Sequence, residues 1–232
     1  MLIKEIPIQE RPREKAIRFG IRSLSTRELL AILLHTGGKG KSALELADMI
    51  LSKTHGLHGL CRLSYSQLLE IDDISSAKAL VLQAVFELNR RMAYEEIQYT
   101  NVIKAPEALV RWLYQEIGQS LQEQFLVVYL DNQHRILQHK VLFVGTINAT
   151  QVYPREIFKE ALLINSTAMM LAHNHPSNEL APSDQDIMIT RRLLNIASLM
   201  DIEILDHIIV GQSGYLSLVR EGLMPSIEQD LK

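Results

Sequence analysis

The segment from Ser166 to Met200 constrains this chain more than any other. Ser166-Thr167-Ala168-Met169-Met170-Leu171-Ala172 reads as a short buried strand running into His173-Asn174-His175-Pro176. Ala181-Pro182-Ser183-Asp184 reads as a loop entering a helix, with Ile187, Leu193, Leu194, Ala197 and Met200 near helical spacing. On a strand, residues i and i+2 project from one face, so His173 and His175 converge. Asp186, eleven positions after His175, falls in the first helical turn and points back toward the strand end. Two imidazoles and a carboxylate make a three-ligand zinc set that leaves a fourth position for water, the arrangement of a catalytic rather than a structural site. Ser183-x-x-Asp186 is also close to a capping box, in which the serine satisfies free backbone N–H groups. Capping explains Ser183 and Asp186 but not the paired histidines. The literal string His-Asn-His is a decoy for the nuclease class of that name, whose letters are scattered rather than adjacent.

His173-x-His175-Pro176, Ser183 and Asp186 together resemble the metal-binding motif of the JAB/MPN metallopeptidase fold, the JAMM motif. The flanking text narrows the resemblance. Gly145-Thr146-Ile147-Asn148, Pro154-Arg155-Glu156-Ile157-Phe158-Lys159-Glu160-Ala161, His173-Asn174-His175-Pro176-Ser177, Pro182-Ser183 and Asp206-His207-Ile208-Ile209-Val210 are similar to the bacterial RadC family. The match is strong over residues 101 to 222 and weaker before them. One departure is Asn178, where that family usually has glycine after His-Pro-Ser; a loop conformation shifts there, but no ligand is lost.

Composition bounds the rest. With 232 residues, 47% of them hydrophobic, the chain is long enough for one large or two small domains with a packed core. A single cysteine, Cys61, excludes a disulfide framework and fits a reducing compartment, so zinc here is held by nitrogen and oxygen. Met1-Leu2-Ile3-Lys4-Glu5 has no basic-then-apolar signal pattern, and no apolar run of about 18 residues is present. No membrane is expected, and the cytoplasm is the expected location. Residues 1 to 100 hold 14 Lys/Arg and 12 Asp/Glu, leaving 10 and 15 for the remainder. A nucleic-acid-binding domain shows a concentrated basic face, and these charges are scattered.

Residues 1 to 100 read as a small helical domain. Ser25-Thr26-Arg27-Glu28 and Ser42-Ala43-Leu44-Glu45 are both capping boxes, and Leu80, Val81, Ala84, Val85 and Leu88 mark a helix from Ala77 to Arg91. Tyr94 to Thr100 makes a polar linker. Residues 101 to 232 interleave elements: helices at Pro106 to Ile117 and Pro154 to Ile164, strands at Phe125 to Leu130, Ile136 to Val144, Ile202 to Val210 and near Tyr215 to Leu218. That is an α/β or α+β domain. The resemblance implies the cytidine-deaminase-like α/β sandwich of the JAB fold, preceded by a helix-hairpin-helix-like domain.

Hydrolysis also needs a group that takes the proton from the attacking water and passes it to the leaving group. The family pattern has a glutamate just ahead of the first strand of the JAB domain, and Glu123 matches it; Glu156 and Glu160 are rivals that the sequence leaves open. The family's serine at the position of Ser183 helps stabilise the tetrahedral intermediate. His207, in an apolar strand, reads as a core histidine or as one that orients a ligand, and Asn174 as a structural hydrogen-bonder. His35, His55, His58, His134 and His139 read as surface or loop residues.

Two further segments are decoys. Thr36-Gly37-Gly38-Lys39-Gly40-Lys41-Ser42 ends like a phosphate loop, but His35 stands where the first glycine is required. Leu69 to Ala79 resembles the hairpin that presents backbone N–H groups to a DNA phosphate, yet serine and aspartate replace its glycines, Asp72 and Asp73 repel phosphate, and Lys78 is the only cation beside it. The expectation is a zinc-dependent hydrolase of RadC type acting on an amide bond in a protein or peptide: His173, His175 and Asp186 as ligands, Glu123 moving the proton, Ser183 on the oxyanion. The alternatives are a DNA-repair accessory or DNA-binding protein with an auxiliary zinc site, and a metal-dependent nuclease, for which the carboxylates are too few.

Overall fold

The computed structural model describes residues 6–145 and 152–227; Thr146, Ile147 and Asn148 of the flanking motif lie outside the described residues. The chain divides into two compact units, Met1–Leu88 and Asn89–Lys232.

The first unit is helical: α1 (Pro12–Phe19), α2 (Thr26–Leu34), α3 (Ala43–Lys53), α4 (Leu57–Cys61), α5 (Tyr65–Leu69) and the first part of α6 (Ser76–Gln98). The expected capping boxes form at Ser25/Glu28 and Ser42/Glu45, and a third forms at Ser64/Gln67. Each satisfies two backbone N–H groups that a helix start leaves without partners. The apolar faces close on Leu30, Leu34, Leu46, Ile50, Leu60 and Leu68. Between α2 and α3, Gly38 and Lys41 exchange backbone hydrogen bonds of 3.1 and 3.2 Å. Asp73 accepts from Lys39 N (3.0 Å) and Lys41 Nζ (3.1 Å). Lys78 Nζ donates to the carbonyls of Gly37 (2.7 Å) and Asp73 (3.0 Å). The glycine-rich segment is therefore a helix-linking turn stitched to the Asp73 hairpin.

The second unit carries a five-stranded mixed sheet in the order β2-β1-β3-β4-β5, from β1 (Gln124–Leu130), β2 (Ile136–Val144), β3 (Ala168–Asn174), β4 (Glu203–Val210) and β5 (Tyr215–Ser217). Among the described residues only β3 and β4 run parallel, and α9 (Asp184–Leu199) connects them. β1 and β3 lie inside the sheet, which explains their unbroken apolar sequence in place of alternation. One face packs Leu126, Val128, Met170 and Ile208 against α7 (Pro106–Leu113) and its Trp112. The other packs Phe125, Val127 and Leu171 against α9 and α8 (Pro154–Leu163).

Three expectations shift. The helix from Pro106 is α-helical only to Leu113 and ends in a π turn over Tyr114–Gly118. Tyr94 to Gln98, expected in a linker, is the end of α6, because Ala93, Tyr94 and Ile97 pack on the sheet core and packing outweighs polar composition. His139 is on β2, half-buried against the rings of Tyr94 and Trp112 at 4.9 Å from each, rather than in a loop. The β3–β4 pairing also contains a bulge: Met169 pairs with Ile204 but Met170 with Asp206. The extra residue, Leu205, reverses the side-chain alternation of β4, so that Ile204 and His207 project to the same face.

Candidate metal centre

β3 delivers His173 from its last turn of pleat onto the α8/α9 face, with His175 one residue past the strand end. α9 delivers Asp186 from its first turn. The ring nitrogens His173 Nε2 and His175 Nε2 lie 2.9 Å apart. Asp186 Oδ1 is 3.3 Å from the first and Oδ2 is 3.6 Å from the second. Donors about 2.0–2.2 Å from a tetrahedral ion stand about 3.3 Å from one another, so this triangle has the dimensions as well as the donor types to hold one. His173 and Asp186 are buried, and His175 is partly buried with 11% of its side chain exposed, which leaves the opening on its side.

Asp186 completes the capping box with Ser183 and at the same time turns its carboxylate toward the two imidazoles. Asp186 N donates to Ser183 Oγ at 3.2 Å, while Asp186 Oδ2 accepts from Ser183 N at 2.8 Å and from Ser183 Oγ at 2.7 Å. The box fixes the carboxylate, and the Ser183 hydroxyl proton is spent on Asp186. The His175 ring is held from behind by Nδ1–H donating to the Glu179 carbonyl, which can only accept, so Nε2 of the neutral ring carries the free lone pair. Asn178, the departure noted above, adopts a left-handed φ of 65°, which asparagine tolerates. Its side chain accepts from Ser213 N (3.1 Å) and Ser213 Oγ (3.1 Å). This brace fastens the loop after His175 to the β4–β5 turn, a contact glycine could not make.

Charge is distributed unevenly over the cluster. Burial lowers the His173 imidazole to about 4, with the Asp186 charge opposing and His175 adding to the fall. His175 is raised, chiefly by its hydrogen bond to Asp186, against burial and with help from the charges of Asp186 and Glu123. Burial pushes Asp186 up, but His175, His173 and the Ser183 bonds outweigh it and hold the carboxyl well below the usual range. A buried carboxylate that stays ionised beside two imidazoles is a ready cation site.

Asn174 points to the opposite face, as expected, and clamps the approach to β1. Its Oδ1 accepts from Gln124 N at 2.7 Å, and its Nδ2 donates to the carbonyls of Gln122 (3.1 Å) and Ser120 (3.3 Å). Glu123 lies between those anchor points, half-buried, and its charge reaches His175. Of its rivals, Glu160 is committed to Gln138 Nε2 (2.7 Å) and Lys140 Nζ (2.9 Å), and Glu156 pairs with Arg155 (3.1 Å). His207 proves to be buried beside His173: its Nε2 is 2.8 Å from His173 Nδ1 and its Nδ1 is 2.6 Å from Thr190 Oγ1. Phe125 stacks on His173 and meets His207 edge-on. Sequence reasoning overlooked Thr190; the signal was its place four residues after Asp186, on the same helix face.

Residues 103–223 match the RadC-like JAB domain, and residues 3–80 match the UPF0758 N-terminal domain. Over nearly its whole length the chain is similar to UPF0758 proteins. It is 38% identical to one of Staphylococcus carnosus, over 96% of this chain and 98% of the relative. It is 42% identical to one of a Marinomonas species, over 97% and 100%, and 39% identical to one of Shouchella clausii, over 98% and 99%. The His-His-Asp triangle thus stands in the domain where the JAB fold carries its metal motif, and the chain belongs to the UPF0758 family, with a RadC-like JAB domain as its second part.

Proposed function

We propose that this protein is a zinc-dependent hydrolase that cleaves an amide bond in a protein or peptide, as a metallopeptidase or isopeptidase. The observation that carries the reading is the convergence of His173 Nε2, His175 Nε2 and an Asp186 carboxylate oxygen within 4.8 Å of one another at a half-open strand end. Nitrogen and oxygen donors at this spacing suit zinc, which when bound supplies Lewis acidity and makes water nucleophilic near neutral pH. Glu123 takes the proton from the attacking water and returns it to the leaving amine. Its support is the charge it exerts on His175. Ser183 donates to the developing oxyanion once its hydroxyl releases Asp186. Among the described residues no helix is long and apolar enough to cross a membrane; the single cysteine supports a cytoplasmic setting.

A DNA-binding role for the first unit is the weaker reading, because Lys78, the cation beside the hairpin, is turned onto the Gly37 and Asp73 carbonyls. The deciding experiment is elemental analysis of the purified protein beside His173→Ala and Asp186→Ala, with folding checked by circular dichroism. About one zinc per wild-type chain, lost in the folded variants, supports the reading. No metal after zinc reconstitution sinks it.

A further inference from the structure

We infer that Thr190 and His207 form a proton-ordering relay that sets His173 in its metal-competent tautomer. The inference rests on the metal site proposed above but concerns residues outside the ligand set. The relay starts at a group with no choice: the backbone carbonyl of Asp186 can only accept, so the Thr190 hydroxyl donates its one proton there. Thr190 Oγ1 is then an acceptor, and the nitrogen 2.6 Å from it, His207 Nδ1, carries the proton. His207 is fully buried against Phe125 and His173, where an imidazolium would be costly, so its ring is neutral and its Nε2 bare. A bare His207 Nε2 at 2.8 Å accepts from His173 Nδ1. His173 is therefore the Nδ1–H tautomer, and its lone pair sits on Nε2, the atom that faces His175 and Asp186.

The relay is closed, since it begins on the main chain of one ligand, Asp186, and ends on the ring of another, His173. Removing the Thr190 hydroxyl releases the constraint. His207 can then move its proton to Nε2, His173 must accept at Nδ1 and carry its own proton on Nε2, and the ring no longer offers an electron pair to an ion. Thr190 and His207 are positioning residues.

The test compares Thr190→Val, which keeps shape and removes the oxygen, with Thr190→Ser, which restores it. Zinc affinity is measured by competition with a chromophoric chelator. Ring tautomers are read from long-range ¹H–¹⁵N correlation spectra of metal-free and zinc-loaded wild-type protein. The expected results are a loss of about 10–100-fold in zinc affinity for Thr190→Val, recovery to within a few-fold in Thr190→Ser, and Nδ1–H signals for both His173 and His207 in the wild type. Unchanged affinity in folded Thr190→Val, or an Nε2–H signal from wild-type His207, overturns the relay. The spectra of the metal-free wild type decide the proton order even if Thr190→Val does not fold. A wild type that binds no zinc while showing the expected tautomers leaves the relay standing and removes the hydrolase reading instead.

Discussion

Asn174 stands between His173 and His175, yet its effect should be felt on β1, and the sign of that effect separates two substitutions. Asn174→Ala deletes two well-formed hydrogen bonds, to Gln124 N at 2.7 Å and Gln122 O at 3.1 Å, and a longer one to Ser120 O at 3.3 Å. The side chain is buried. At about 1 kcal/mol for each good bond and less for the long one, with some added cost for the donor left unpaired, the loss is about 3 kcal/mol. For a unit of this size that lowers Tm by roughly 6–12 °C. Asn174→Asp keeps the acceptor for Gln124 N but sets a carboxylate oxygen against two carbonyl oxygens, so it should cost more than alanine by about 1–3 kcal/mol at pH 7. The aspartate's folded-state pKa is raised by this surrounding. Its penalty is therefore present above the unfolded value of about 4 and relieved as pH falls through that range, when a protonated carboxyl can donate once. Thermal melts of the wild type and both variants between pH 4 and 8 measure this. An aspartate variant as stable as the alanine variant at pH 7, or one whose penalty grows on acidification, would refute the assignment of Asn174 as an acceptor–donor clamp.

Ser183→Ala should lower Tm through loss of the cap, by about 1 kcal/mol, and keep its metal, because the backbone bond from residue 183 to Asp186 Oδ2 persists. On a cleavable peptide or conjugate it should also slow turnover on the order of 100-fold; a fall in Tm alone would remove its role on the oxyanion. Burial pushes the Glu116 carboxyl up, but the bonds from His139 and Arg90 outweigh it and leave the group below its ordinary 4.5. Glu116→Gln should therefore cost about 1–2 kcal/mol at pH 7, and the difference from wild type should vanish as pH falls below that value, because stability from a depressed acid is lost through its folded pKa. Urea titrations at pH 7 and pH 3 read the contrast; a gap of equal size at both would show that the pair contributes no charge term.

What could be read in advance was local. The capping boxes at Ser25 and Ser42 need only four consecutive residues, and the i, i+2 projection of His173 and His175 needs only a strand. Asp186 fell on the correct helix turn because the serine before it marks where that helix begins. What escaped depends on partners distant in sequence. Tyr94 looked like linker until the core it packs on was in place. The side on which His207 emerges depends on the extra residue at Leu205, which no alternation pattern in β4 announces. Thr190 is an ordinary polar residue on a helix until β4 brings a histidine to it.

The bulge also bears on the order in which this site can come into being during synthesis. His173, His175 and Asp186 belong to one contiguous strand, loop and helix, so they can gather as soon as that stretch leaves the ribosome. His207 arrives 34 residues after His173, on a strand that must first dock in parallel register with its one-residue offset. Parallel pairing across a crossover is among the slower events of folding. On the proposed relay, a nascent chain would hold the donor atoms before it held them in the ordered protonation pattern, and tight uptake of an ion would be a late event that reports a finished sheet.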